Sequence, residues 1–439
     1  MTTSAVAKNP RDGDARHLAV DLAVIGSGLA GFAASIFAVS RRIVTAQVGN
    51  TGAVAYTTGY LDLLGREDGT RSDVTDPWQA LEKLAVDQPN HPLAKVPGED
   101  IREAFTVFTA FLGEGGIAYS KPGERNVTAL TPAGTVKQTL CVPATMAAGC
   151  RAYAEKLPCV IVDFKGLKGF SGRQVAANLQ ERWPGLATAR IDFPDIMTGE
   201  IYPEVMARAL EVPATREKLA VRLKAAAGVA KIVGLPAVLG MHRPDRVKAE
   251  LERLTGLVIF EIPTMPPSVP GIRLREMFEQ VLPQKGVTLI PQQKVTGLCF
   301  EADGARLSLA DSFGPIELRA RAVILATGRF LSGGLEAERT GIRETLLNLP
   351  VVQPDGRGHW YHDRYTDPRG HAIHRAGLTV DHAFRPLGAD GQPYDERLFA
   401  AGVILAHQDW IRGRSGAGIA IASAYQAVAE ASRFLSSRS

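Results

Sequence analysis

A chain of 439 residues is too long for one simple hydrophobic core and calls for two or three folded units. An apolar share of 45% and a charged share of 22% are those of a globular protein in water. Fifty basic residues against 46 acidic ones leave a net charge of only +4, and no basic stripe interleaved with aromatics marks a nucleic-acid surface.

The first 16 residues are polar, with no apolar run of the kind a secretory signal needs, and read as a mobile tail. The chain then enters an apolar strand, Val20 to Ile25, followed by Gly26-Ser27-Gly28-Leu29-Ala30-Gly31 and an Ala-rich helix. Strand, G-x-G-x-x-G turn and helix together form the dinucleotide fingerprint in its required context. Gly26 permits the tight turn, Gly28 lets backbone approach a pyrophosphate, and Gly31 lets helix and strand pack closely. The helix N-terminus then offers unpaired N–H groups and a positive dipole end to the phosphate, which Ser27, Leu29 and Ala30 adjoin. One part of the fingerprint is missing. The second strand, Ile43 to Val48, should end in an acid for the adenosine ribose, but Thr45, Ala46 and Gln47 stand there and the next acid is Asp62.

The small and hydroxyl residues that follow, Thr57-Thr58-Gly59 among them, predict a loop passing close to a flat or charged group. Helices are expected over Asp73–Asp87 and Ile101–Gly113, then short strands to Gln138. From Cys141 to Gly256 the pattern alternates: strands at Cys159–Phe164, Ala187–Phe193 and Lys231–Pro236, and helices at Gly172–Arg182, Tyr202–Leu210, Thr215–Ala227 and Pro244–Thr255. That alternation is an α/β unit in its own right. The Pro-rich segment Pro263–Gly271 reads as the linker back, leading to a helix, a parallel strand at Val287–Ile290 and a three-stranded meander. The meander runs into an apolar strand ending Ala326-Thr327-Gly328, which brings backbone to a nucleotide at the carboxyl end of a parallel sheet. Leu398–Val403 is the last strand. After it, Gly416-Ala417-Gly418 opens an Ala-rich terminal helix, and Val403 stands where flavoproteins of this fold carry an acid after Gly402.

The expected architecture is therefore α/β: a Rossmann-like FAD/NAD(P)-binding flavoprotein fold with an inserted α/β domain. Its divisions are a tail at 1–16, the flavin-binding domain in three parts at 17–65, 261–335 and 386–439, an inserted domain at 66–260, and a cap return segment at 336–385. Cofactor contacts are expected from Gly26, Ser27, Gly28, Leu29, Ala30, Gly31, Thr57, Thr58, Gly59, Thr327, Gly328, Gly402, Gly416, Ala417 and Gly418. Arg273 and Arg275, like Arg339 and Arg343, follow Pro- or Gly-rich turns where a guanidinium fork meets a phosphate or carboxylate, with an internal ion pair as the alternative for both sets. Arg273, Arg343 and, in the loop after Gly402, Arg414 are the candidates for substrate or phosphate. His407, between the last strand and the last helix, is the candidate for proton transfer. His359, His362, His371 and His374 crowd one segment with Asp363 and Asp367, but their irregular spacing reads as solvated loop histidines, so no metal site is expected. Cys141, Cys150, Cys159 and Cys299 match neither a zinc nor an iron–sulfur spacing; any iron–sulfur centre in the electron path would sit on another chain.

Taken together, the Gly26–Gly31 turn, Thr58-Gly59-Tyr60-Leu61-Asp62-Leu63-Leu64, Pro266-Pro267-Ser268-Val269-Pro270-Gly271-Ile272-Arg273-Leu274 and Gly333-Gly334-Leu335-Glu336-Ala337-Glu338-Arg339-Thr340-Gly341-Ile342-Arg343-Glu344 resemble the B-subunit of anaerobic glycerol-3-phosphate dehydrogenase. The resemblance covers most of the chain beyond the tail, although Trp410, Arg412 and Arg414 replace smaller family residues after Gly402. It implies a flavoprotein, with FMN favoured over FAD, that pairs with a larger, FAD-bearing catalytic subunit. A third, iron–sulfur subunit would anchor the pair to the membrane and pass electrons toward quinone. The implied reaction is oxidation of sn-glycerol 3-phosphate to dihydroxyacetone phosphate, in the cytoplasm or on the inner face of the membrane. The rivals are a stand-alone FAD enzyme of the fumarate reductase type and a non-catalytic scaffold with a degenerate nucleotide site.

Overall fold

The structure, a computed structural model, describes residues 15–50, 53–67, 72–195, 199–367 and 369–438. The expected tail lies almost wholly outside them. Strand β1 (Arg16–Ile25) turns through Gly26-Ser27-Gly28 into helix α1 (Leu29–Ser40), which returns to strand β2 (Thr45–Gly49). The last four residues of β1 are all buried, because helices cover both faces of a parallel sheet and no alternation is needed. The sheet has seven strands. In spatial order they are Gly297–Glu301, Gly304–Asp311, Gly314–Leu325, β1, β2 and Thr288–Pro291, with Leu398–Ala400 paired to the end of Gly314–Leu325.

The strand Gly314–Leu325 shows both kinds of patterning. Its first part alternates in burial while it pairs antiparallel with Gly304–Asp311 in the meander. Its last four residues are continuously buried between β1 and Leu398–Ala400, both parallel to it. The C-terminal helix Gly416–Ser437 and α1 lie side by side, locked by Phe37 edge-on to Tyr425 at 5.1 Å. Phe32 stacks on Phe278 at 4.6 Å and brings in the helix Val269–Gln284.

A second core surrounds a four-stranded parallel sheet ordered Leu186–Ile191, Cys159–Phe164, Ile232–Pro236, Val258–Ile262. The last strand is absent from the sequence-based expectation, which closes the unit on the helix Pro244–Thr255. Glu261 interrupts its short apolar run, and the partner that neutralises this acid, Arg273, lies beyond the linker. The division between the two units also differs from expectation. The helices Pro77–Asp87 and Gly98–Glu114, expected in the inserted domain, bury Leu81, Ile101, Phe105, Phe108 and Leu112 in the first core. The second core begins near Leu130, on the hairpin Val127–Leu130 and Val136–Thr139. The return segment also folds onto the first core, through Ile342, Trp360 and Ile373.

Candidate functional site

A cavity of about 760 Å3 opens at the carboxyl ends of β1, β2 and Gly314–Leu325, where an open α/β sheet places its ligands. Its floor is the glycine turn. Gly26 sits at φ +139°, and a Cβ there would overlap the Ala326 carbonyl, so no side chain is tolerated. At Gly28 the opposite holds. Its backbone is extended, and a Cβ would meet nothing within 4 Å. Space above Gly28 is therefore kept clear for something other than protein. Helix α1 begins beside that space with no side-chain cap and no acid in its first turn, so its orphan N–H groups and dipole favour an anion.

Among the residues expected to touch a cofactor, Gly26, Ser27, Gly28, Leu29, Ala30, Thr57, Thr58, Thr327, Gly328, Gly416 and Ala417 line this cavity. Gly31, Gly59, Gly402 and Gly418 do not. Each is a close-packing position: a Cβ would strike the Gly26 carbonyl from Gly31, Pro270 from Gly59, Ala30 from Gly402 and the Leu63 carbonyl from Gly418. Val403 lines the cavity in place of Gly402.

The apparent loss of the ribose contact has a structural explanation. Strand β2 runs on to Gly49, so the cavity is reached by Gly49 and Asn50. Gln47 instead points beneath the glycine turn, donating to the Gly26 carbonyl at 2.9 Å and accepting from Ser35 Oγ at 2.8 Å. An Asn amide donates and accepts, which suits ribose hydroxyls as an acid does. Gln293, Lys294 and Val295 line the same cavity. Thr327 Oγ1, on the cavity wall, is buried with no hydrogen-bond partner in the protein. These features fit a dinucleotide whose phosphates sit over Gly28 and α1.

Two arginine expectations are corrected. Arg273 is buried outside the cavity, its fork already bonded to Glu261 at 2.7 and 2.8 Å and its Nε to the Gly240 carbonyl at 2.8 Å. Burial raises the pKa of Glu261, but the Arg273 charge and hydrogen bonds outweigh it and hold the carboxyl below its ordinary value. Arg343 lies on a hairpin away from the cavity, paired with Glu336 at 2.6 Å and Glu338 at 2.8 Å. Arg414 does line the cavity.

His407 is displaced as well. The loop after Gly402 turns at His407, φ +64°, and sends its ring toward Thr379, Nε2 to Oγ1 at 3.3 Å, in a separate hollow beside Arg375 and Gln353. Burial, then the charges of Lys95 and Arg375, push its pKa down. The histidine on the cavity wall is His374, one of the four read as loop histidines. Its Nδ1 lies 3.3 Å from Asp409 Oδ2, and Asp409 also caps the next turn by accepting from the Arg412 N–H at 3.1 Å. Burial raises the Asp409 pKa, yet His374 and the Arg412 N–H more than offset it, and the carboxyl stays below its ordinary value. Beside them Arg329 is buried and donates to the His374 and Ala376 carbonyls; burial pulls its pKa down to about 10. The sequence signal for Arg329 is its place directly after Ala326-Thr327-Gly328. For His374 only the crowding of its segment hints at a site. Lys137, paired with Asp62 on the cavity wall, gives no signal.

Among the described residues no group of three or more His, Cys, Asp or Glu side chains is placed to hold a metal ion, and no helix is long and apolar enough to cross a membrane.

The FAD binding domain family model matches residues 21–419. The anaerobic glycerol-3-phosphate dehydrogenase B-subunit of Vibrio cholerae serotype O1 is 30% identical over 425 residues, 93% of this chain and 95% of that protein. The probable B-subunit of the same enzyme in Halobacterium salinarum is 29% identical, covering 93% and 96%. Among solved structures, the FrdA chain of Escherichia coli quinol fumarate reductase aligns over 97% of this chain and 72% of its own, at 9% identity and a TM-score of 0.42. The family is described by FAD, so the preference for FMN finds no support. By the model spanning most of its length and by its near full-length relatives, the chain belongs to the FAD binding domain family and to the B-subunit family of anaerobic glycerol-3-phosphate dehydrogenases.

Proposed function

We propose that this chain binds FAD and takes part in oxidising sn-glycerol 3-phosphate to dihydroxyacetone phosphate, within a multi-chain assembly that delivers electrons toward quinone. The observation that carries the reading is one cavity faced in common by Gly26 to Ala30 at the α1 N-terminus, by His374, which Asp409 backs from behind, and by Arg414. Gly26, Ser27, Gly28 and the first N–H groups of α1 would hold the pyrophosphate; Asn50 and Gln293 to Val295 would hold the adenosine end. Bound flavin would supply the two-electron oxidant.

The chain's own residues provide the rest. Asp409 fixes the tautomer and orientation of His374 by taking its Nδ1, leaving Nε2 as the nitrogen to accept a hydroxyl proton. Arg329 backs the same loop through the His374 carbonyl and places positive charge on the cavity wall. An FAD-bearing catalytic partner, an iron–sulfur membrane-anchoring partner and a peripheral place at the inner membrane face belong to the same proposal. Relatives named as the B-subunit of a larger enzyme support the existence of partner chains.

The test is spectroscopic. The purified chain, reconstituted with FAD, should show oxidised-flavin absorbance near ~450 nm. Anaerobic addition of sn-glycerol 3-phosphate, with the partner chains present, should bleach it. A chain that retains no flavin, or whose flavin stays oxidised in the complete assembly, would remove the reading. Bleaching of the isolated chain would favour a stand-alone oxidoreductase.

A further inference from the structure

The cavity has a second charged region, built from different parts of the chain than the glycine turn. Residues Tyr60 to Gly65 form a bracket between the Val127–Thr139 hairpin and the C-terminal helix. Leu61 N–H donates to Cys141 at 3.0 Å, Gly418 N–H to the Asp62 carbonyl at 2.7 Å, and Gly65 N–H to Gly413 at 3.0 Å. At Gly65 the missing Cβ lies 2.6 Å from the Gln138 carbonyl and 3.0 Å from Arg414 Cβ, so hairpin and helix entry meet there. The hairpin thereby delivers Lys137 to the cavity wall, where it pairs with Asp62 and lies 5.7 Å from the centre of the Tyr60 ring. The Tyr60 hydroxyl is tied to the Leu130 carbonyl at 2.6 Å, which fixes the ring.

The charges here do not balance. Arg66 and Arg414 share the single carboxylate of Asp73, at 3.4 and 3.3 Å, while Lys137 holds Asp62. Three cations thus face two carboxylates. Burial and then the Arg66 charge lower the Arg414 pKa, while Asp73 and Asp62 oppose them in part. At the same time Asp62 Oδ1 is buried with no hydrogen-bond partner, although Asp62 lines the cavity. A buried carboxylate oxygen left unsatisfied is costly, and a ligand hydroxyl would satisfy it. The surplus cation and the orphan acceptor ask for opposite things of one ligand: an anionic group and a hydroxyl donor.

We infer that Lys137, Arg414 and Asp62 form a subsite for a hydroxylated phosphomonoester, with the phosphate on Lys137 and Arg414 and a hydroxyl on Asp62 Oδ1. The assignment rests on the function proposed above and names the residues that would select a phosphorylated polyol over the free polyol. The cofactor's own phosphates are served by Gly28 and α1, so this region is left for the substrate. Lys137 is the selecting group, since it and its partner Asp62 both line the cavity, whereas Asp73, which holds Arg414, does not.

The experiment is calorimetric titration of sn-glycerol 3-phosphate, glycerol and inorganic phosphate into the full chain, both apo and FAD-loaded. The phosphoester should bind tightest, inorganic phosphate more weakly, and glycerol not measurably. The double variant Lys137→Met with Asp62→Asn, which leaves no lone buried charge, should weaken phosphoester binding about 10- to 100-fold with FAD content unchanged. Lys137→Arg should stay within a few-fold of the parent. Asp62→Asn alone should weaken sn-glycerol 3-phosphate more than inorganic phosphate. Equal binding of glycerol and its phosphate, or an unaltered double variant, overturns the subsite. Phosphoester binding without any flavin reduction in the full assembly keeps the subsite and removes the oxidation proposal instead.

Discussion

The parallel strands of the two large sheets are alike in chemistry and opposite in what they do at their carboxyl ends. In the seven-stranded sheet, β1 ends in glycines whose lack of side chains opens the cavity floor. In the four-stranded sheet the corresponding edge is filled. Asp163 accepts from the Gly172 N–H at 3.1 Å, and Glu261 takes the Leu239 N–H, the Thr145 hydroxyl and both arms of Arg273. A parallel sheet offers a crevice by topology. Whether that crevice becomes a site depends on whether side chains or glycines finish the strands.

Breaking the filled edge should cost most. Arg273→Met leaves Glu261 charged and buried, and should lower unfolding free energy by about 3–5 kcal/mol in urea denaturation. Adding Glu261→Gln should recover a good part of it; no recovery would mean that the pair is not what closes this edge. Next comes the turn itself. Gly26→Ala forces a Cβ against the Ala326 carbonyl at positive φ and should cost about 2–4 kcal/mol, read as a lowered thermal midpoint.

Gly28→Val sharpens the contrast, because its side chain enters open space. The apo protein should keep its melting temperature, within about 0.5 kcal/mol in stability, while FAD affinity falls about 100-fold, or ~2.7 kcal/mol. If stability fell with affinity, the space above Gly28 would be structural and not a ligand's. The smallest effect concerns Asp409. Its carboxyl sits below the ordinary value in the folded protein, so the stability it adds is present above about pH 4 and is lost as pH falls through the lowered value. Asp409→Asn should therefore cost about 1 kcal/mol at pH 7 and flatten the acid limb of the stability profile. An acid limb unchanged from the parent would contradict the His374–Asp409 pair.

What is legible in the sequence follows from chain distance. The strand–turn–helix around Gly26, the meander and the Ala326–Gly328 strand end are local patterns, and they are found where periodicity and glycine spacing put them. The features that differ from expectation depend on long-range partners. His407 and His374 are brought close by the His407 N–H on the Arg375 carbonyl at 3.0 Å, yet His374 lines the cavity while His407 faces Thr379. Arg273 resembles a phosphate ligand in sequence because its partner Glu261 is hidden in a short strand without a clear apolar run. Asn50 escapes notice because β2 extends beyond its apolar run. Lys137 reaches the site only because a hairpin of the second unit folds back over the first.

The central claim is that the open edge of the larger sheet holds FAD. Its most direct test is mass-spectrometric identification and quantification of the cofactor released from the purified, reconstituted chain. The account predicts about one FAD per chain, lost in Gly28→Val with the fold intact. Recovery of FMN, or of no flavin from a folded chain, would contradict it.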